Sequence, residues 1–228
     1  HHFEQAGDAA EAAHWHRRAA EWIGARDTRE SLAHWRKVAE LLAGVPQTDE
    51  TRSHRARAFG QMVWSGTRSG LPESEIEPIF REGLELARAS GDARAEALIL
   101  VGRGFSLGPA TRAMARDALA VADRAGDVVM QLVAGLPCTG PFGVADLRER
   151  LALLDRLIAL ANGDVRLGAE FGGYSPLLML HNQRIPTLAQ LGRLREAEAA
   201  RARTLALLER SPDPLVECSL HSMSSVLA

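Results

Sequence analysis

The chain has 228 residues, of which 46% are hydrophobic and 25% charged, and its formal net charge is −2. This length and composition fit a globular protein with a sizeable core and exclude a disordered chain. A protein that binds duplex nucleic acid normally carries a basic excess, and the net charge of this chain argues against that class.

Capping residues mark four predicted helices in the first part of the chain. Side chains that can cap a helix and glycines that can end one delimit the first three. These helices run from Asp8 to Gly24, from Asp27 or Thr28 to about Gly44, and from Thr48 or Asp49 to about Gly66. The fourth begins at a capping box, Ser74 to Glu77, with Pro78 tolerated in its first turn.

Apolar periodicity and breakers predict seven further helices. They cover about 92–107, 110–125, 127–136, 145–162, 175–191, 193–210 and 213 onward. The clearest apolar stripe runs from Leu147 through Leu151, Leu154 and Ile158 to Ala161. No segment alternates polar and apolar residues for long enough to be a strand, so the predicted fold is all-α.

Glycine–aspartate turns indicate a helical repeat. Gly91–Asp92, Gly126–Asp127 and Gly163–Asp164 are 35 and 37 residues apart, and each can end one helix and cap the next. That spacing is typical of tetratricopeptide repeats, and residues 7–12 and 192–197 both read G-x-x-x-E-A. We therefore predict stacked antiparallel helix pairs, a tetratricopeptide-like α-solenoid, forming a single domain over 1–228.

Both ends of the sequence read as helices cut short, because neither has the polar capping repeat that normally ends a solenoid. We therefore expect the chain to be a piece of a longer multidomain protein. No apolar run approaches the ~18 residues of a membrane span, and no signal peptide is recognisable, so a cytoplasmic protein is expected.

Two stretches rich in proline and glycine are predicted to interrupt the helices. Residues 136–143 contain Phe142, and residues 171–176 contain Phe171 and Tyr174, the only tyrosine. Aromatic side chains in loops often contact partners, so these three residues are the candidate partner-binding residues. The alternative is that the rings fold back and cover helix ends.

Common catalytic signatures are missing from the sequence. There is no P-loop, no HExxH and no G-x-S-x-G, and the two cysteines are too far apart for a zinc site or a disulfide scaffold. The glycines of 102–108 are better explained by close helix packing than by a dinucleotide loop. The tryptophans are interpreted as helix-packing residues, namely Trp15, Trp22, Trp35 and Trp64. We expect no catalytic residue, metal or cofactor in this segment.

Two segments carry a resemblance to known proteins. Residues 1–8 (HHFEQAGD), followed by Ala12, Ala19, Ala20 and Trp22, resemble the junction where an AAA-like ATPase module passes into a helical tail. Residues 80–92 (FREGLELARASGD) look like a repeat of the same proteins, which are bacterial class III adenylate/guanylate cyclases. ATP-dependent LuxR-type regulators have similar tails and are a competing parent.

The resemblance implies a parent with a cyclase domain and a nucleotide-binding module. None of the motif residues of those domains is present, so the part that remains is the tail. Two functions follow for it. The first is a module that binds a protein, a peptide or the upstream domains of the same chain through stacked helices. The second is a regulatory domain that holds a small ligand between helices, near the two stretches rich in proline and glycine.

Overall fold

The structure, a computed structural model, describes residues 2–104, 109–140 and 143–224. Every regular element in these residues is helical, which confirms the predicted all-α fold. The chain divides into two compact units, an N-terminal unit of His1–Asp127 and a C-terminal unit of Val128–Ala228.

The N-terminal unit is built from helices that pack as consecutive pairs. They are α1 (His2–Gln5), α2 (Ala9–Ile23), α3 (Thr28–Ala43), α4 (Asp49–Arg68), α5 (Glu73–Ser90), α6 (Ala93–Gly104) and α7 (Pro109–Ala125). The pairs are α2 with α3, α4 with α5, and α6 with α7, and α4 also packs against α3 and α6. Short turns join α2 to α3 and α4 to α5, so the helices of each of these two pairs are antiparallel.

The predicted caps of the first helices are confirmed. Asp8 accepts a hydrogen bond from the backbone N–H of Glu11 at 3.1 Å, and Asp27 accepts one from Glu30 at 2.9 Å. Thr48 caps α4 in the same way. Each side chain satisfies N–H groups that have no partner within the helix.

Small residues allow close packing in the middle of the N-terminal unit. A Cβ atom on Gly102 of α6 would lie 3.0 Å from the backbone nitrogen of Trp64 in α4. A Cβ on Gly83 of α5 would lie 2.6 Å from Cβ of Phe59. Only glycine lets these helices approach so closely, so the packing interpretation of Gly102 is confirmed. Residues 105–108 of the same glycine-containing stretch lie outside the described residues.

The C-terminal unit is also a set of packed helices. They are α8 (Val128–Thr139), α9 (Leu147–Leu160), α10 (Ala169–Gly172), α11 (Pro176–Gln190), α12 (Leu194–Arg210) and α13 (Pro214–Ser224). The long helix α11 packs against α8, α9, α12 and α13, and α8 packs against α9. The predicted stripe of α9 faces this core, since Leu151 and Leu154 are buried and Ile158 is half-buried.

Two predicted helix boundaries were wrong because the tolerance of proline depends on its surroundings. α5 begins at Glu73 with Pro72 as its N-cap, so Ser74 lies inside the helix and does not form the predicted capping box. α8 continues through Pro137 to Thr139, although residues 136–139 were expected to be non-helical. Pro137 lies in the last turn of α8, where only one backbone hydrogen bond is lost.

The glycine–aspartate turns have the predicted backbone geometry. Gly91 and Gly126 have φ angles of 68° and 64°, in the left-handed region that ends a helix at little cost for glycine. Asp92 then caps α6 by accepting a hydrogen bond from Ala95 at 3.0 Å. At Gly163 the spacing changes, because a turn and the short α10 precede the next long helix.

Candidate functional site

The three predicted partner-binding residues do not form one exposed surface in the structure. Phe142 lies outside the described residues. Tyr174 is only 7% exposed, and the expected exposed ring is therefore not found at this position. Its ring covers the backbone of Gly172, where a Cβ atom would lie 2.5 Å from Cε1 of the tyrosine. Phe171 is half-buried.

The loop around Tyr174 is fixed by polar contacts as well as by packing. The backbone N–H of Ser175 donates to Oδ2 of Asp213 at 2.7 Å, and Oδ1 of Asp213 accepts from Val216 at 3.2 Å. One carboxylate thereby ties the start of α11 to the start of α13. Ser175 also caps α11 through its own hydroxyl group. The ring of Tyr174 is held inward, as in the alternative in which loop aromatics cover helix ends.

Two tryptophans of α2 are exposed on the same side of that helix. Trp15 is 47% exposed and Trp22 is 76% exposed, and residues seven apart fall on one face. The buried side of α2 consists mostly of alanines, among them Ala13 and Ala20. Two of the four tryptophans therefore do not pack between helices, contrary to the sequence interpretation, whereas Trp35 and Trp64 are buried.

Charged groups surround the exposed rings of α2. Cζ of Arg18 lies 4.9 Å from the ring centroid of Trp15, and Cζ of Arg26 lies 5.7 Å from that of Trp22. Nε1 of Trp15 donates a hydrogen bond to Glu11 at 3.0 Å. These five residues are called the α2 surface below. An arginine held over a tryptophan ring makes a cation–π contact, in which the ring quadrupole attracts the cation.

A histidine pair lies between the first helices, which spacing along one helix could not show. Nδ1 of His16 is 2.8 Å from Nδ1 of His34, and Nε2 of His16 is 2.6 Å from Glu4. The hydrogen bond from His16 lowers the pKa of Glu4. Burial, and next the charge of His16, lower the pKa of His34. The contacts join α1, α2 and α3, so their evident role is to hold α1 in place.

The C-terminal unit contains a cleft between α9 and α12, with α11 as its floor. Its volume is about 390 Å³. The lining consists of apolar, small and basic side chains, namely Ile158, Gly163, Leu177, His181, Arg203, Ala206, Leu207 and Arg210. These residues are called the α9–α12 cleft.

His181 is the buried titratable group of the cleft, with 8% of its surface exposed. Burial, and next the positive charges of Arg203 and Arg184, lower its pKa to about 4. The imidazole is therefore neutral at neutral pH, and it can both donate and accept a hydrogen bond.

Within the part of the chain that the structure describes, no group of three or more His, Cys, Asp or Glu side chains is arranged to hold a metal ion. None of the helices found there combines the length and the apolar character needed to cross a membrane. No protein-family model matches the chain, and no curated protein matches it significantly.

Sequence reasoning missed both the α2 surface and the α9–α12 cleft, for different reasons. A signal for the first was present, since Ala13 and Ala20 form a small-residue stripe two positions away from Trp15 and Trp22. Two positions correspond to about 200° around a helix, which places the stripes on opposite faces. The cleft residues belong to no motif, and packing alone brings them together.

Proposed function

We propose that the chain is a non-catalytic helical-repeat module of tetratricopeptide type that docks a polypeptide partner through the α2 surface. The observation that supports this proposal is the exposure of Trp15 and Trp22 on one face of one helix. Tryptophan and arginine are the residue types most enriched among residues that dominate binding energy in interfaces. Here both types occur side by side outside the core.

Energetics also support a docking role for this surface. A tryptophan can bury 150–250 Å² at roughly 25 cal/mol per Å², so covering the exposed part of Trp22 is worth a few kcal/mol before the costs of association. A partner that covers both rings would gain most of its affinity there.

The charges of the α2 surface indicate which kind of partner would bind there. Among the described residues, Arg18 and Arg26 form no ion pair with a carboxylate, although each contacts an indole ring. A partner with carboxylates beside an apolar side chain would pair with both arginines while covering the rings. We therefore propose an apolar and acidic polypeptide surface, supplied by another protein or by another domain of the same chain.

Photo-crosslinking tests the docking proposal. Trp22 is replaced by benzoylphenylalanine in the protein in its native cells, with the same replacement at exposed Glu85 of α5 as the matched control. We expect one discrete polypeptide adduct from position 22 and none from position 85. The protein identified in the adduct is then purified and titrated against two variants of the chain. Its dissociation constant for Trp22→Ala should be at least tenfold higher than for Glu85→Ala. Identical adducts from both positions, or adducts only with a second copy of the chain, would contradict the proposal.

The parent protein remains a proposal based on the resemblance of residues 1–8 and 80–92. We propose a cytoplasmic bacterial signalling protein of the adenylate/guanylate cyclase type with an ATPase module, in which this module controls the upstream domains. A LuxR-type regulator is the alternative parent. In either protein, binding of a partner at the α2 surface would change the activity of the output domain.

The absence of catalysis is tested directly. The purified chain is expected to release no phosphate from ATP and to form no cyclic nucleotide above a buffer control, because the sequence lacks the P-loop that would bind the nucleotide. Activity that co-elutes with the protein peak through repeated purification would show that this segment is an enzyme.

A second candidate function is small-ligand regulation, and the α9–α12 cleft favours it. The cleft volume of about 390 Å³ lies within the range of small-ligand sites. Its mixture of apolar and basic side chains is also typical of sites that fix one polar end of a ligand.

A further inference from the structure

The charge in the α9–α12 cleft is not neutralised by neighbouring side chains. Arg203 and Arg210 line the cleft from α12, and among the described residues neither forms a hydrogen bond or an ion pair with a carboxylate. Two other arginines of the C-terminal unit are paired. Arg184 binds Asp155 at 2.7 Å, and Arg193 binds Glu196 at 2.6 Å. The two cleft arginines are therefore available to an anion from solution.

The two arginines are placed so that both can reach one ligand. A separation of seven residues puts them on the same side of α12, about 10 Å apart along the helix axis. Their side chains are long enough to converge on a single head group between them. A guanidinium group presents parallel N–H donors, which match the oxygens of a carboxylate or a phosphate.

The rest of the cleft is suited to an apolar body. Ile158, Leu177 and Leu207 line it from α9, α11 and α12, and Ala206 leaves space between the two arginines. His181 adds no charge at neutral pH, because burial and the neighbouring guanidinium groups of Arg203 and Arg184 keep it neutral. A free inorganic ion would use the arginines and leave the apolar lining in contact with water.

We propose that the α9–α12 cleft binds a small amphiphilic organic anion. Its carboxylate or phosphate head is held by Arg203 and Arg210, and its apolar chain lies against Ile158, Leu177 and Leu207. The proposal rests on the second candidate function, small-ligand regulation, and is independent of docking at the α2 surface in the other unit. The shared chemistry is an anionic head on an apolar chain.

Binding of defined probes to the full chain tests this proposal. Octanoate and octyl phosphate supply both parts of the ligand and separate the two head groups, octanol lacks the charge, and acetate and inorganic phosphate lack the apolar chain. Backbone amide chemical shifts are followed by nuclear magnetic resonance during titration below the micellar range. We expect saturable shifts centred on Leu177, His181 and Arg203 with octanoate or octyl phosphate, and dissociation constants at least tenfold weaker for octanol, acetate and inorganic phosphate.

Substitutions locate the binding site. Arg203→Gln and Arg210→Gln should each raise the dissociation constant of the tighter amphiphile at least fivefold. Arg195→Gln is the matched control, because Arg195 is exposed on the same helix and does not line the cleft; its effect should stay below twofold. All three positions are exposed, so the far-ultraviolet circular dichroism spectrum should not change.

Three results would overturn the inference. The first is the absence of saturable shifts with both amphiphiles. The second is equal binding of octanol and octanoate, which would mean that the arginines are not used. The third is equal weakening by Arg195→Gln and Arg203→Gln. None of these outcomes affects crosslinking at Trp22, so failure here is distinguishable from failure of the docking proposal.

Discussion

Replacement of Leu154 by alanine is expected to lower the free energy of unfolding by about 2–5 kcal/mol. Leu154 is fully buried in α9, one turn from buried Leu151 and Leu157. Its removal takes apolar surface out of the core and leaves a cavity, because the packed helices α8 and α11 can close it only in part. Urea unfolding followed by circular dichroism at 222 nm measures the loss.

Arg148→Ala is the matched control on the same helix. Arg148 is exposed, and only its backbone N–H bonds to Asp146, a contact that alanine keeps. We expect a change within about 0.5 kcal/mol. Equal losses for the two variants would mean that the buried face of α9 is wrongly assigned. The tryptophans all lie in the N-terminal unit, so circular dichroism is preferred to fluorescence for both variants.

Much of the fold could be predicted from the sequence because a helix end is determined by residues within a few positions of it. Asp8 and Asp27 could be predicted to cap helices, since few other side chains accept hydrogen bonds so well from the free backbone N–H groups of a first turn. Gly91 and Gly126 had to end them, since other residues are strained at positive φ. The stripe of α9 needed only the 3.6-residue period. Each of these features depends on residues within a few positions of one another.

Prediction failed where distant packing decides between local alternatives. Pro137 breaks a helix in general, yet α8 continues through it with nine buried residues, which offset one lost hydrogen bond. The helical spacing of Trp15 and Trp22 is consistent with packing between helices, which is why the sequence predicts that they are packing residues. The alanines of α2 occupy the core face instead, since only small side chains allow the close approach of α3.

The α9–α12 cleft could not be predicted from the sequence at all. Its residues come from three helices and a turn, and Ile158 and Arg210 are more than fifty positions apart. No catalytic or ligand motif spans that distance. The positive charge of Arg203 looks ordinary in a chain with 27 basic residues and 29 acidic ones. Only the structure shows that Arg184 of α11 is paired with Asp155, whereas Arg203 has no acidic partner among the described residues.

Acidification is expected to destabilise the chain through His181. The folded-state pKa of about 4 is below the ordinary value of 6.5, so the unfolded chain binds a proton more readily than the folded one between these values. The stability due to neutral His181 is therefore fully present above pH 6.5 and is lost as the pH falls towards 4. Between pH 7.5 and pH 5 the loss should be about 2 kcal/mol.

A His181→Gln variant isolates this contribution, because glutamine is polar and does not titrate. The difference in unfolding free energy between the parent chain and the variant should shrink by about 2 kcal/mol from pH 7.5 to pH 5, as measured by urea unfolding. Comparing the two proteins removes the effect of His34, whose pKa is also lowered, and of Asp92, whose lowered pKa acts at more acidic pH. A difference that stays constant with pH would show that His181 titrates normally and that Arg203 and Arg184 do not suppress its charge. A difference that shrinks as expected would show that the α9–α12 cleft holds its positive charge beside a neutral ring.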